Sequence, residues 1–173
     1  MRGLVADALR GGVAGAVGWW AMDQALQRMY DREERSVRAA EDRARGGVPA
    51  LEAVAEAGAR MAGAELTSRQ RQRAGTALQW VVGIGAGMLY GVLRPRVRVA
   101  RAGRGLAYGA AFSLVVDEGA VPLLGFAPGP GAFPWQTHAR GFVGHLVFGL
   151  ATEAALEVLA PGSTLTLEKE HPP

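Results

Sequence analysis

The sequence predicts an all-α fold: an integral membrane bundle of about four transmembrane helices, with a charged helical insertion between the first and second. Three observations predict it. Apolar segments at 9–28, 74–93, 105–124 and 141–160 are each about 20 residues long, and ~20 residues at ~1.5 Å rise cross a ~30 Å hydrocarbon core. Glycine supplies 25 of the 173 residues; each costs ~1 kcal/mol against Ala in a soluble helix, whereas in lipid small residues let helices approach closely. Residues 31–45, DREERSVRAAEDRAR, pair opposite charges at helical spacing, the mark of a solvated helix outside the apolar segments.

The first segment, LRGGVAGAVGWWAMDQALQR, carries Arg10 and Asp23 within its apolar run. Arg2 and Arg10 before such a run also fit a signal peptide. No small-x-small cleavage site follows, and Trp19, Trp20 and Asp23 sit poorly in that role, so an uncleaved first helix is expected. In the insertion, 29–73, Asp31–Arg35, Glu34–Arg38 and Glu41–Arg45 stand four apart, each pair adding ~0.2–0.5 kcal/mol to a solvated helix. Gly46-Gly47 breaks this helix and Pro49 starts another, with a thin apolar stripe of Leu51, Val54, Ala55, Met61 and Ala62. That stripe is placed on the membrane surface or against the bundle. Thr67 or Ser68 offers an N-cap for the second spanning helix.

Between the second and third segments lies RPRVRVARAGR, a tight turn with five arginines and no acid. The positive-inside rule places a short turn of this kind in the cytoplasm, with both termini on the same side. Nine arginines in 29–73 weigh against this, since acids do little to cancel them in that rule. The link FAPGPGAFPWQTH, 126–138, is rigid, and Phe133 and Trp135 fit interfacial anchors. The tail after Ala160, PGSTLTLEKEHPP, is polar and expected to be flexible over 162–173.

Composition narrows the chemistry. With no cysteine, disulfides and thiolate catalysis are out, and the compartment cannot be read from redox usage. The net charge of +3 is almost wholly arginine, Lys169 being the only lysine, and the arginines alternate with acids or flank apolar segments. That placement suits a lipid bilayer as partner and not nucleic acid. No G-x-S-x-G surrounds any serine and no phosphate-binding loop is present, so no catalytic residue is assigned and an enzyme is the less favoured class.

Glycines recur every fourth residue as Gly83, Gly87 and Gly91, as Gly11 and Gly15, and as Gly105 and Gly109. This is the small-xxx-small pattern of close helix contact. VVGIGAG at 81–87 also contains G-x-G, but a dinucleotide site needs a third Gly and a downstream acid, and arginines follow instead. No cofactor is expected.

The candidate functional residues form an intramembrane polar cluster: Asp23, Asp117, Glu118, His138, His145 and Glu153. Asp23, Asp117 and His145 lie ~7, ~10 and ~6 Å from the same end of their segments, so they can share one layer. Glu153 lies ~12 Å farther along its helix than His145, turned by ~80°, and forms a second level facing Trp19, Trp20 or Tyr90. His138, seven residues before His145, shares its face nearer the surface. Ionisable groups at this depth are expensive, so they need partners or a use. One reading is a proton path from His138 through His145 with Asp23 and Asp117 to Glu153; the other is pairing that pins helix register. A metal site from His138, His145 and Asp117 is disfavoured, because a seven-residue His spacing is no recognised ligand motif.

The run AVPLLGFAPGPGAFPWQTHARGFVGHLVFGLATEAALEVL, 120–159, resembles the YagU-like, DUF1440-type family of bacterial inner-membrane proteins. The positions that carry the resemblance are Pro122, Gly125, Pro128, His138, Phe142, Gly144, His145 and Glu153, with Tyr90 in the second segment. It covers roughly 74–160 and leaves 29–73 outside. Where Asp117 stands the family often has His, so no histidine-specific role carries over there. The resemblance implies a multi-pass inner-membrane protein of undefined activity associated with acid tolerance. The leading expectation is a small membrane protein supporting acid or envelope homeostasis by proton movement through the polar cluster. The alternative is a non-transporting assembly module, binding another membrane protein or a second copy through its glycine faces and insertion.

Overall fold

The computed structural model describes residues 2–125 and 128–160, and every regular element in them is helical. Helix α1 runs Arg2–Arg32, α2 Arg35–Arg45, α3 Ala50–Met61 and α4 Ser68–Leu93. A basic turn containing a 3-10 segment, Arg98–Arg101, leads to α5, Leu106–Leu123, and a second 3-10 turn, Pro130–Ala132, precedes α6, Trp135–Val158. The predicted flexible tail 162–173 lies outside the described residues, as do Phe126 and Ala127 of the link. Helices α4, α5 and α6 are long and apolar enough to cross a membrane. The longer α1 is not among them; Asp7, Arg10 and Asp23 dilute its apolar run.

The helices extend beyond the apolar segments: α1 begins at Arg2 and not at 9, α4 at Ser68 and not at 74, α6 at Trp135 and not at 141. Hydropathy marks the stretch that can sit in lipid, whereas capping sets where a helix starts. Thr67 caps α4: its hydroxyl accepts from the Gln70 N–H at 3.3 Å, and the Gln70 side chain accepts from the Thr67 N–H at 2.9 Å. Because α1 and α4 each run into the expected insertion, only residues 33–67 lie between them. Within it Gly46, at φ +63°, ends α2, and Pro49 stands just before α3.

The four long helices alternate in direction. Helix α1 packs on α4 and α6, α5 packs on α6, and α3 lies on α4. Ion pairs tie the start of α1 to the turn after α4 (Asp7–Arg96, 3.0 Å) and the start of α5 to the end of α6 (Arg104–Glu157, 3.0 Å). One end of the bundle therefore holds the basic turn. The other holds α2, α3 and the Pro-rich link.

Toward the turn end the helices meet through glycine. A Cβ on Gly15 would stand 2.6 Å from the Gly83 carbonyl oxygen and from Gly87 Cα, and Gly11 sits as closely on Gly87 and Gly91. Gly105 and Gly109 of the α5 side meet the backbone of Gly149 and His145 in the same way. All the predicted packing glycines, Gly83, Gly87, Gly91, Gly105 and Gly109, are buried against this chain's own helices. The outward faces are apolar: Leu9, Val13, Val17 and Trp20 on α1, Val81 and Leu89 on α4, Leu114 and Val115 on α5 are exposed.

Helix α5 is irregular. Ser113–Ala120 winds as a π-helix, with i→i+5 hydrogen bonds. Pro122 follows directly; it has no N–H to give and crowds the preceding turn, and a wider turn accommodates both effects.

Candidate functional site

The π-turn decides which way the acids of α5 face. More residues per turn means less rotation between neighbours, so Asp117 and Glu118 both face α6. There they meet two histidines seven residues, ~10 Å, apart on one helix face. Glu118 Oε1 lies 2.6 Å from His138 Nδ1, and Asp117 Oδ2 lies 3.3 Å from His145 Nδ1.

Hydrogen positions follow from the partners. His138 Nε2 faces the Pro130 carbonyl at 2.9 Å while its Nδ1 faces a carboxylate, so both ring nitrogens look at acceptors. A hydrogen therefore lies between Glu118 Oε1 and His138 Nδ1, and Nε2–H donates to the Pro130 carbonyl. In His145 the same nitrogen, Nδ1, contacts both Asp117 and the Gly141 carbonyl at 2.9 Å. Both are acceptors, so Nδ1 carries the hydrogen, and Nε2 has no partner among the described residues.

These pairs line two adjoining cavities of about 340 Å³ each. The outer one reaches His138, Glu118, Phe133 and Arg140 at the insertion end. The inner one reaches Asp23, His145, Trp19 and Phe112. Leu26, Leu51, Gln79, Asp117 and Gly141 line both, so the two form one vestibule with Asp117 at its throat. Asp23, Asp117 and His145, expected in one layer, line the inner cavity together.

Glu153 belongs elsewhere. Between it and His145 lies a layer of aromatic rings. Phe112 packs on His145, Phe148 and Tyr108, with centroids 5.3, 5.9 and 6.1 Å away, and Tyr108 packs on Tyr90 at 4.7 Å. The Tyr108 hydroxyl donates to the Ala86 carbonyl at 2.7 Å, closing the layer onto α4. Beyond it, Arg94 grips Glu153 through Nε (2.7 Å) and Nη2 (3.0 Å), and the Tyr90 hydroxyl donates to the same carboxylate at 2.7 Å. This bond to Glu153 raises the Arg94 guanidinium above its ordinary pKa, against the pull of burial. Of the three residues expected to face Glu153, Tyr90 is the one hydrogen-bonded to it. The expected chain from His138 to Glu153 is thus cut by the Phe112–Tyr108–Tyr90 layer.

Sequence reasoning missed the clamp on the vestibule's rim. Arg140 is buried and binds Glu33 at the end of α1 and, at 2.5 Å, Glu41 of α2. Glu41, 1% exposed, also takes Arg45 and the Thr137 hydroxyl (3.1 Å), while Arg140 and Arg38 lie over the Tyr30 ring. Helix α3 is tied to α4 by Arg71, which reaches Glu52 and Glu56 at 3.5 and 3.3 Å. The signal for the clamp was present: an arginine between His138 and His145 in a buried helix requires an acid, though not a particular one.

Set beside known proteins, the chain matches no protein family, no curated protein and no solved structure. What can be said of its function rests on the vestibule itself.

Proposed function

We propose that this is a four-helix integral protein of the bacterial inner membrane that takes up protons in a one-ended vestibule and so supports acid or envelope homeostasis. The observation that carries it is the pair of histidine–carboxylate contacts, His138–Glu118 and His145–Asp117, set ~10 Å apart along one cavity wall. Neighbouring titratable groups inside helices that can span a membrane are a recurrent means of passing protons. A fourth spanning helix is favoured by α1's outward stripe: Leu9, Val13 and Trp20 are each more than half exposed, as lipid-facing residues are. With the basic turn in the cytoplasm, both termini lie there and the vestibule opens on the opposite side. The resemblance of 120–159 to YagU-like proteins is part of this proposal and has no matching family model behind it.

Passage across the whole membrane requires the aromatic layer to open, since Phe112 and Tyr108 separate His145 from the Glu153–Arg94 pair. Proton flux into sealed proteoliposomes across an imposed pH gradient tests the reading. We expect flux in the native chain, lost in folded His145→Ala and Asp117→Asn. Absence of flux above empty liposomes, from folded protein in both orientations, would sink proton movement. The assembly reading would then gain weight, with a narrower basis than before: the glycine faces are filled within the chain, leaving the outer surfaces of α2 and α3.

A further inference from the structure

Two carboxylates, those of Asp23 and Asp117, give the inner cavity its charge. His145 is 3% exposed, and with Nδ1–H committed to Gly141 and Asp117 its Nε2 is left without a partner among the described residues. Asp23 makes no hydrogen bond or ion pair among the described residues, and Asp117 leaves 40% of its side chain exposed at the throat. Donors in the lining are the Gln79 amide and the Trp19 indole N–H, besides the His145 Nδ1–H already committed to Gly141 and Asp117. The arginines at the outer rim are already engaged, Arg140 with Glu33 and Glu41, and Arg45 with Glu41. An anion entering here would meet like charge and lone pairs.

A bare metal ion fits no better. Among the described residues no three His, Asp or Glu side chains converge closely enough to hold one. Acceptors spread over a cavity of about 340 Å³ suit a ligand with a body, and that volume is at the small-molecule scale. Its walls include Trp19 and Phe112, whose ring faces attract cations.

We propose that the vestibule binds a small organic ammonium ion. Its N–H groups are held by Asp117 and Asp23 beside the unpartnered Nε2 of His145, and its apolar body lies against Trp19 and Phe112. The proposal rests on the same vestibule as the proton reading, but it does not require flux.

The test uses the full chain in lipid nanodiscs, with calorimetric titration of three probes: phenethylammonium, tetraethylammonium and benzoate. Saturable binding of phenethylammonium is expected, weakened about tenfold or more in Asp117→Asn, where a charge-assisted hydrogen bond is lost. Tetraethylammonium, which has no N–H, binds more weakly, and benzoate does not bind. Gly141→Leu separates loss of the site from loss of the fold. A Cβ at Gly141 meets nothing nearer than Asp117 Oδ2 at 3.8 Å, so a leucine fills the throat while every charge is retained. No saturable ammonium binding by folded native protein overturns the proposal. So does unchanged binding in folded Gly141→Leu, or benzoate competing with the ammonium. Ammonium binding without proton flux would leave this site standing and remove the proton reading; flux without binding would do the reverse.

Discussion

The two ends of the bundle are held together by different means. Toward the basic turn, backbones touch: Gly11 and Gly15 lie on Gly83, Gly87 and Gly91, Gly105 lies on Gly149, and the buried acid Glu153 is closed off by Arg94 and Tyr90. Toward the insertion, the long helices stand apart around a cavity with ion pairs at its rim, Arg140 with Glu33 and Glu41 and Arg71 with Glu52 and Glu56, and there close backbone approach is limited to α3 on Gly75 of α4. Glycine contact excludes water and ligands because no space is left. Ion pairs between long side chains hold helices together at a distance and leave room. A small helical bundle can thus be closed at one end and hollow at the other without a separate domain for each.

Placing side chains in the glycine seam is expected to have the largest effect. Gly87→Leu drives a side chain into Gly11 and Gly15 backbone and should cost ~3 kcal/mol or more. Gly85→Leu, two residues away on the same helix with nothing within 4 Å, should cost nothing measurable. Thermal unfolding of the two variants in the same detergent checks the contrast; equal stability would mean that the seam is not what closes this end.

Next in size is the rim. Glu41→Ala leaves buried Arg140 with Glu33 alone and should destabilise by about 3 kcal/mol. Limited proteolysis should then cut within 33–67 while α4 to α6 stay protected. Cutting spread evenly through the chain would show that the insertion is not a separately clamped unit.

Two smaller effects sharpen the comparison. Tyr90→Phe removes one hydrogen bond to Glu153 and should cost ~1 kcal/mol with phenethylammonium binding unchanged, because Glu153 lies beyond the aromatic layer from the vestibule. Gly141→Leu should leave stability equal or raised by ~1 kcal/mol, as leucine is the better helix former, yet abolish flux by filling the throat. Ammonium binding lost in Tyr90→Phe, with flux kept in Gly141→Leu, would exchange the roles of the two ends.

Several features were legible in the chain itself. The apolar segments gave the long helices, Gly46 and Pro49 marked the break between α2 and α3, and Thr67 was readable as a cap. The four-residue glycine spacing marked the faces on which backbones meet. Two pairings of the candidate site were not legible. Asp117 and Glu118 are adjacent, and on an α-helix they would diverge by ~100°; the π-turn lets each meet its own histidine. Placing Glu153 on a second level followed from its spacing along α6, but the rings that isolate that level come from three helices: Tyr90, Phe112 with Tyr108, and Phe148.

Periodicity, capping residues and glycine spacing act within one helix or at its surface, so the helical class, the apolar faces and the list of polar residues can be read along the chain. Which of those residues share a cavity depends on helix offsets and on one irregular turn. Those are settled only when four backbones close on one another, and the tertiary structure alone decided that Asp23, Asp117 and His145 face an open vestibule while Glu153 is sealed behind tyrosine and arginine.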